Sequence, residues 1–147
     1  MKFTKMHGLG NDYLYVYGEV PGNAAELSKK LSERHLGAGS DGMIYISKSS
    51  IADFKMRIFN ADGSEAKMCG NGIRCVGKYV YDKGYTDKKF LSIETLSGVK
   101  YLTLQIVGGK VKTITVDMGQ AEAEKAMNLT VDGETVSLFP VSVGNPH

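Results

Sequence analysis

Residues 60–75 read NADGSEAKMCGNGIRC, and a change of period around this stretch decides the fold. Just upstream, Phe54, Met56 and Ile58 recur every second residue, the spacing of a strand, and Asn60 to Ser64 interrupt it with turn residues. From Gly70 the spacing becomes helical, because Ile73, Val76, Gly77 and Val80 follow i, i+3, i+4, i+7, and Gly84 marks the stop. Cys69 therefore stands directly in front of a glycine-bearing helix N-terminus, whose first backbone N–H groups have no intrahelical acceptor. Such a terminus favours an anion.

Working towards the N-terminus, residues 2–6 and 12–17 read as two short strands joined by HGLGN, with Tyr13, Tyr15 and Tyr17 alternating with Leu14 and Val16. Asn23 is placed to cap a helix over 24–36 that carries Leu27 and Leu31 on one buried face and stops at Gly37. MIYIS at 43–47 and DFKMRIF at 53–59 are strand-like. Beyond the Gly70 helix the pattern is mostly β: 90–96, 99–107, a Gly108-Gly109 hairpin turn, 111–118, and then strands either side of Asp132-Gly133. Two helices among about eight strands, joined mostly by short turns, predict an α+β fold. The expected organisation is a main body over 1–118, then 119–147 as a linker with a hairpin too small for its own core. GQAEAEKAMN at 119–128 is the expected linker.

Composition narrows the function classes. The chain has 147 residues, 42% hydrophobic and 23% charged, which suits one ordinary domain, or one domain plus part of another. Its net charge is +2 with the two signs interspersed, so a nucleic-acid partner is not expected. No apolar run approaches the roughly 20 residues of a membrane span, and MKFTKMHGLGND lacks a signal peptide's apolar core, so no membrane partner and a cytoplasmic location are expected. Cys69 and Cys75 are then reduced thiols. On one helix they are roughly 9 Å apart, too far for a disulfide, and Cys75 falls on a core-facing side.

Several motifs carry no chemistry. GAGSDG at 37–42 matches G-x-G-x-x-G, yet it ends a helix and precedes a strand, the reverse of a dinucleotide fingerprint. No zinc spacing exists, and no metal or other cofactor is expected. Asp62 and Glu65 fit turn and solvent roles better than an acid–base pair.

Cys69 is different. A helix N-terminus with adjacent glycines lowers a thiol pKa from about 8.5 towards roughly 3.5–7.5, and the N–H groups of Gly70, Asn71 and Gly72 suit a substrate carboxylate beside the sulfur. A small residue buried in a turn is the alternative reading. Asn11, Asn60, Asn71 and Asn145 each lie in or beside glycine- or proline-bearing loops, where Asn is common for backbone reasons alone. Beside a reactive thiol, amides that both donate and accept suit a zwitterionic amino-acid ligand.

The residues also carry a family resemblance. Asn60-x-Asp62-Gly63-Ser64, four residues, and then Cys69-Gly70-Asn71-Gly72-x-Arg74 resembles the signature of diaminopimelate epimerases, and GLGNDY near the start and GNPH at 144–147 look like two further blocks of that family in the expected order. The resemblance implies a cofactor-independent isomerase of lysine and cell-wall precursor biosynthesis that interconverts LL- and meso-diaminopimelate by proton transfer between two cysteines. It implies one lobe of a two-lobed fold, a curved, mostly antiparallel sheet wrapped around a central helix starting near Gly70. It also implies that Cys69 is one catalytic thiol, that Asn11, Asn60, Gly70, Asn71 and Asn145 bind substrate, and that His147 modulates a cysteine's pKa. The second cysteine belongs to a C-terminal lobe beyond residue 147, so this chain alone is expected to be inactive. A homodimer is left open. The alternatives are a related racemase or isomerase of the same fold acting on another amino acid, such as proline or hydroxyproline, and an inactive binding lobe.

Overall fold

A computed structural model describes residues 1–142. They form two compact units, Met1–Asp117 and one that begins at Met118. The first contains strands β1 (Thr4–Gly8), β2 (Asn11–Tyr17), β3 (Gly42–Ser47), β4 (Phe54–Asn60), β5 (Glu65–Ala66), β6 (Phe90–Thr95), β7 (Gly98–Val107) and β8 (Lys110–Asp117), with helices α1 (Ala24–Ser32) and α2 (Gly70–Asp82).

All eight strands join one sheet in the order β1-β2-β3-β4-β6-β7-β8, with β5 paired to β4. β4 shares its second edge, giving Phe54 and Lys55 to β6 and Ile58 and Phe59 to β5. Two of the pairings are parallel, β2 with β3 and β4 with β6, and each is bridged by a helix; the others are antiparallel. Helix α2 packs against β1, β2, β7 and β8, elements at both ends of the sheet path. The sheet therefore curls around α2, the expected α+β architecture.

This wrapping explains the burial of α2 well beyond one stripe: Gly72, Ile73, Cys75, Val76, Gly77, Tyr79 and Val80 are all buried. Cys75 is a free thiol in that core, as its helical position predicts. Helix α1 covers the other sheet face, where Leu27 and Leu31 pack onto Leu14, Met43, Tyr45 and Phe59. Strand β2 lies between the two layers, so Tyr13, Leu14 and Tyr15 are all buried although the sequence alternates there.

Helix α1 departs from expectation at both ends. Asn23 makes no side-chain cap hydrogen bond, and the helix ends at Ser32 rather than reaching Gly37. The cause is local: Glu33 leaves the helix at ψ 128°, and its carboxylate accepts the backbone N–H groups of His35 and Leu36. A side chain that captures nearby N–H groups competes with the helix for them. The chain from Gly37 still folds back on the helix end, with Ala38 N donating to Leu31 O at 2.8 Å.

In the second unit β9 (Glu122–Ala123) pairs with β12 (Val141–Ser142), and β10 (Met127–Val131) forms a hairpin with β11 (Glu134–Leu138) about the anticipated Asp132-Gly133 turn. The stretch 119–128, read as linker, thus contains β9 and the start of β10. Among the described residues no helix is long and apolar enough to cross a membrane.

Candidate active site

The route into Cys69 is set by the turn after β4. Asp62 accepts both the backbone N–H and the hydroxyl of Ser64, at 2.8 and 2.6 Å, and reverses the chain so that β5 returns along β4. Glu65 pairs with Arg57 across that hairpin. Asp62 and Glu65 are thereby occupied structurally. The chain then meets Cys69, which has extended backbone angles (φ −143°, ψ 111°) and is the N-cap of α2.

The Cys69 sulfur is half-buried and doubly engaged. It accepts the Gly72 N–H at 3.3 Å, the bond an N-cap side chain makes to the third helical residue, and its own S–H donates to Asn11 Oδ1 at 3.3 Å. Gly72 permits this approach. A Cβ added there would lie 2.7 Å from Ile44 Cδ1 and 3.4 Å from the sulfur, so glycine lets the first turn of α2 settle against β3. Below it, the fully buried Tyr15 donates to the Gly72 carbonyl at 3.4 Å. Gly70 and Asn71 are the first two residues of α2, and N–H groups at those positions have no intrahelical acceptor.

Asn11 arrives from the β1–β2 hairpin, whose two-residue turn, Leu9-Gly10, has positive φ at both positions. Its amide nitrogen donates to Asp41 Oδ2 at 2.8 Å, leaving its oxygen for Cys69. The same Asp41 oxygen accepts the Asp12 N–H at 3.0 Å, while Arg34 bridges the other Asp41 oxygen and Asp12 at 2.9 and 3.0 Å. Burial works against the charge on Asp12, but hydrogen bonds from Arg34 and Lys5 outweigh it and hold its pKa below the ordinary value. Burial first, and then the charge of the nearby Cys69 sulfur, push the pKa of the Tyr13 phenol up to about 12. Tyr13 is thus a neutral hydroxyl at neutral pH. The Cys75 thiol is raised by burial.

Of the residues expected from sequence, the structure brings together Cys69, Asn11 and the first turn of α2. Asn60 closes its own turn, its amide donating to Ser64 Oγ at 3.0 Å, and Asn71 accepts from Arg74 within α2. Asn145 and His147 lie outside the described residues. Sequence reasoning missed Asp41, Arg34 and Tyr13. Asp41 sits inside the stretch dismissed as a nucleotide fingerprint, and its contact with Asn11 spans 30 positions of chain, a distance that local pattern does not cross. Among the described residues no group of three or more His, Cys, Asp or Glu side chains is placed to hold a metal ion.

A model of the diaminopimelate epimerase family matches residues 3–124. Diaminopimelate epimerase of Acetivibrio thermocellus is 50% identical over 162 aligned positions, which cover 100% of this chain and 58% of that protein. The enzyme of the same name from Agathobacter rectalis is 60% identical over 122 positions, covering 82% of this chain and 43% of its own length. The chain thus spans little more than half the length of such relatives. Among solved structures, a hydroxyproline epimerase from Agrobacterium vitis superposes with a TM-score of 0.67 at 16% identity, and a probable proline racemase from Agrobacterium radiobacter with 0.68 at 16%, each over 95% of this chain and 48% of the other. At that identity the likeness is one of fold.

Proposed function

The chain belongs to the diaminopimelate epimerase family, and from that premise we propose that the full-length protein interconverts LL- and meso-diaminopimelate by cofactor-independent proton transfer at the α-carbon. Residues 1–118 serve as the N-terminal catalytic lobe and 119–147 begin a second lobe. The observation that carries the reading is the Cys69 sulfur, held between the Gly72 N–H and the Asn11 side-chain oxygen, 3.3 Å from each.

The chemistry follows from the stereochemical demand. Inverting an α-carbon requires removal of a proton on one face and delivery on the other. Cys69, as thiolate, takes the α-proton and becomes S–H; the electron pair passes into the substrate's carboxylate-stabilised carbanion; a second thiol, from the part of the relatives' length that this chain does not span, delivers a proton to the opposite face. In the reverse direction the roles exchange. Asn11 is positioned to accept the S–H of the protonated state, while the N–H groups of Gly70 and Asn71 suit the substrate carboxylate. Asn60, Asn71 and Asn145 complete the proposed substrate contacts, and His147 is the proposed modulator of a cysteine. The substrate is a small zwitterion, so closure of two lobes that excludes water would strengthen each of these contacts. One lobe cannot enclose it.

The proposed setting is the cytoplasm, and two copies pairing as a homodimer would appear in sedimentation of the full-length protein. The decisive experiment follows α-deuterium uptake from D2O into diaminopimelate. Cys69→Ala should lower uptake by at least about 10²-fold, the usual contribution of a positioned acid or base. Undiminished uptake would rule out Cys69. Uptake into proline or hydroxyproline in preference to diaminopimelate would instead favour a relative of the same fold with another substrate.

A further inference from the structure

We propose that Asp41 is a positioning residue that fixes which end of the Asn11 amide faces the Cys69 sulfur. An Asn side chain offers two donors on nitrogen and an acceptor on oxygen, and rotating it by half a turn about its last bond exchanges them at almost the same positions. Shape alone therefore does not decide which end meets the sulfur. A carboxylate does, because it only accepts. Asp41 Oδ2 lies 2.8 Å from the Asn11 nitrogen, so the oxygen is turned to Cys69 and accepts its S–H at 3.3 Å.

Asp41 is itself held from several directions. Its Oδ2 also takes the Asp12 backbone N–H at 3.0 Å, and its Oδ1 takes Arg34 at 2.9 Å. Arg34 reaches Asp12 at 3.0 Å as well, and Lys5 reaches Asp12 at 3.1 Å. The carboxylate is thus anchored by one guanidinium and one strand amide, and its remaining bond sets Asn11. The Asn11 oxygen bonds a sulfur that carries its proton and can make no such bond to one that has lost it. An N–H in its place would bond the ionised sulfur instead. Asp41 accordingly selects the state of Cys69 that the neighbouring amide supports.

The inference deepens the proposed role of Cys69, but its test needs no turnover. In the full-length protein, the rate at which iodoacetamide alkylates Cys69 at pH 7 is followed by site-resolved mass spectrometry, with Cys75 read separately. Asp41→Asn can donate to the Asn11 oxygen and let that amide turn over, presenting N–H to the sulfur. Cys69 alkylation should then quicken about fivefold, the effect of one hydrogen bond. In an Asn11→Ala background, Asp41→Asn should change nothing. A rate within twofold of the unsubstituted protein overturns the proposal; so does an equal acceleration with Asn11 absent, which would mean that the lost charge, rather than the amide, acts on the sulfur. Should Asp41→Asn fail to fold, the unsubstituted protein still decides: one Asn11 side-chain N–H proton should exchange slowly with solvent, and rapid exchange of both overturns the assignment. Loss of the alkylation effect with intact dependence of deuterium uptake on Cys69 would remove the role of Asp41 alone.

Discussion

Cys69 has two separable duties, capping α2 and carrying the proposed chemistry, and substitutions can divide them. Its sulfur accepts the Gly72 N–H, which an N-cap hydroxyl does at least as well. Cys69→Ser should therefore leave stability within about 0.5 kcal/mol of the parent, whereas Cys69→Ala should cost about 1 kcal/mol, read from chemical denaturation. Both should lose α-proton exchange, since a hydroxyl is a far weaker acid than a thiol. If the serine variant exchanged protons at the parental rate, capping would be the only duty of this position. Cys69 was legible because the glycines and the helical period that mark it all lie within a few residues of it. Asn11 was legible as an amide in a glycine-bearing loop and through the family blocks, and Asp41 not at all, because what matters about Asp41 is a bond made between β2 and the segment before β3.

The elements show the same division between near and far. Helix α2 ends where its glycine predicts: Gly84, at φ +77°, follows the C-cap residue Lys83, and its N–H donates to Tyr81 O at 3.0 Å. Gly84→Ala should destabilise the protein by about 1 kcal/mol without altering the site, a shift visible in denaturant midpoint with uptake per folded molecule unchanged. Loss of uptake at full stability would refute that separation. The end of α1 was misread because a single carboxylate, Glu33, outcompetes the helical pattern after Ser32. The curl of the sheet was likewise invisible in the alternation of β2. Tyr13, Leu14 and Tyr15 read as one wet and one dry face, and became dry on both only because α1 and α2 close over opposite sides of the sheet. Periodicity reports one covered face, while two covered faces are a property of topology.

Across residues 1–117, the curled sheet is tied at several seams by carboxylates whose charge the folded state favours. Asp53 accepts Ser92 N–H and hydroxyl at 2.8 and 2.9 Å, joining the segment before β4 to β6. Asp82 accepts Val111 N–H at 3.0 Å and pairs with Lys78 at 2.7 Å, joining the end of α2 to β8, and Glu94 of β6 pairs with Lys55 of β4 at 2.8 Å. For Asp53 and Asp82 burial opposes ionisation, yet hydrogen bonds, from Lys88 and Ser92 to the first and from Lys78 and Val111 to the second, lower their pKa; Glu94 is lowered chiefly by Lys55. The sign follows from linkage: a carboxylate with a depressed folded pKa stabilises the fold fully above its ordinary value, 3.8 for Asp and 4.5 for Glu, and the contribution is lost as pH falls through the lower folded value. Buried Cys75 acts at the other limb, since its raised pKa keeps the folded thiol protonated while the unfolded one ionises above the ordinary value of 9.0, so stability declines as pH rises past that point. Thermal denaturation across pH should show a plateau between about pH 5 and 8.5 with losses on both sides. Asp82→Ala should lower the plateau by about 1 kcal/mol and make the acid limb shallower, because one of the groups that must be protonated there has been removed. An acid limb as steep as the parent's would mean that Asp82 does not contribute to it, and that the seam between α2 and β8 is held by its other contacts, among them Lys78 Nζ donating to Val111 O at 2.8 Å.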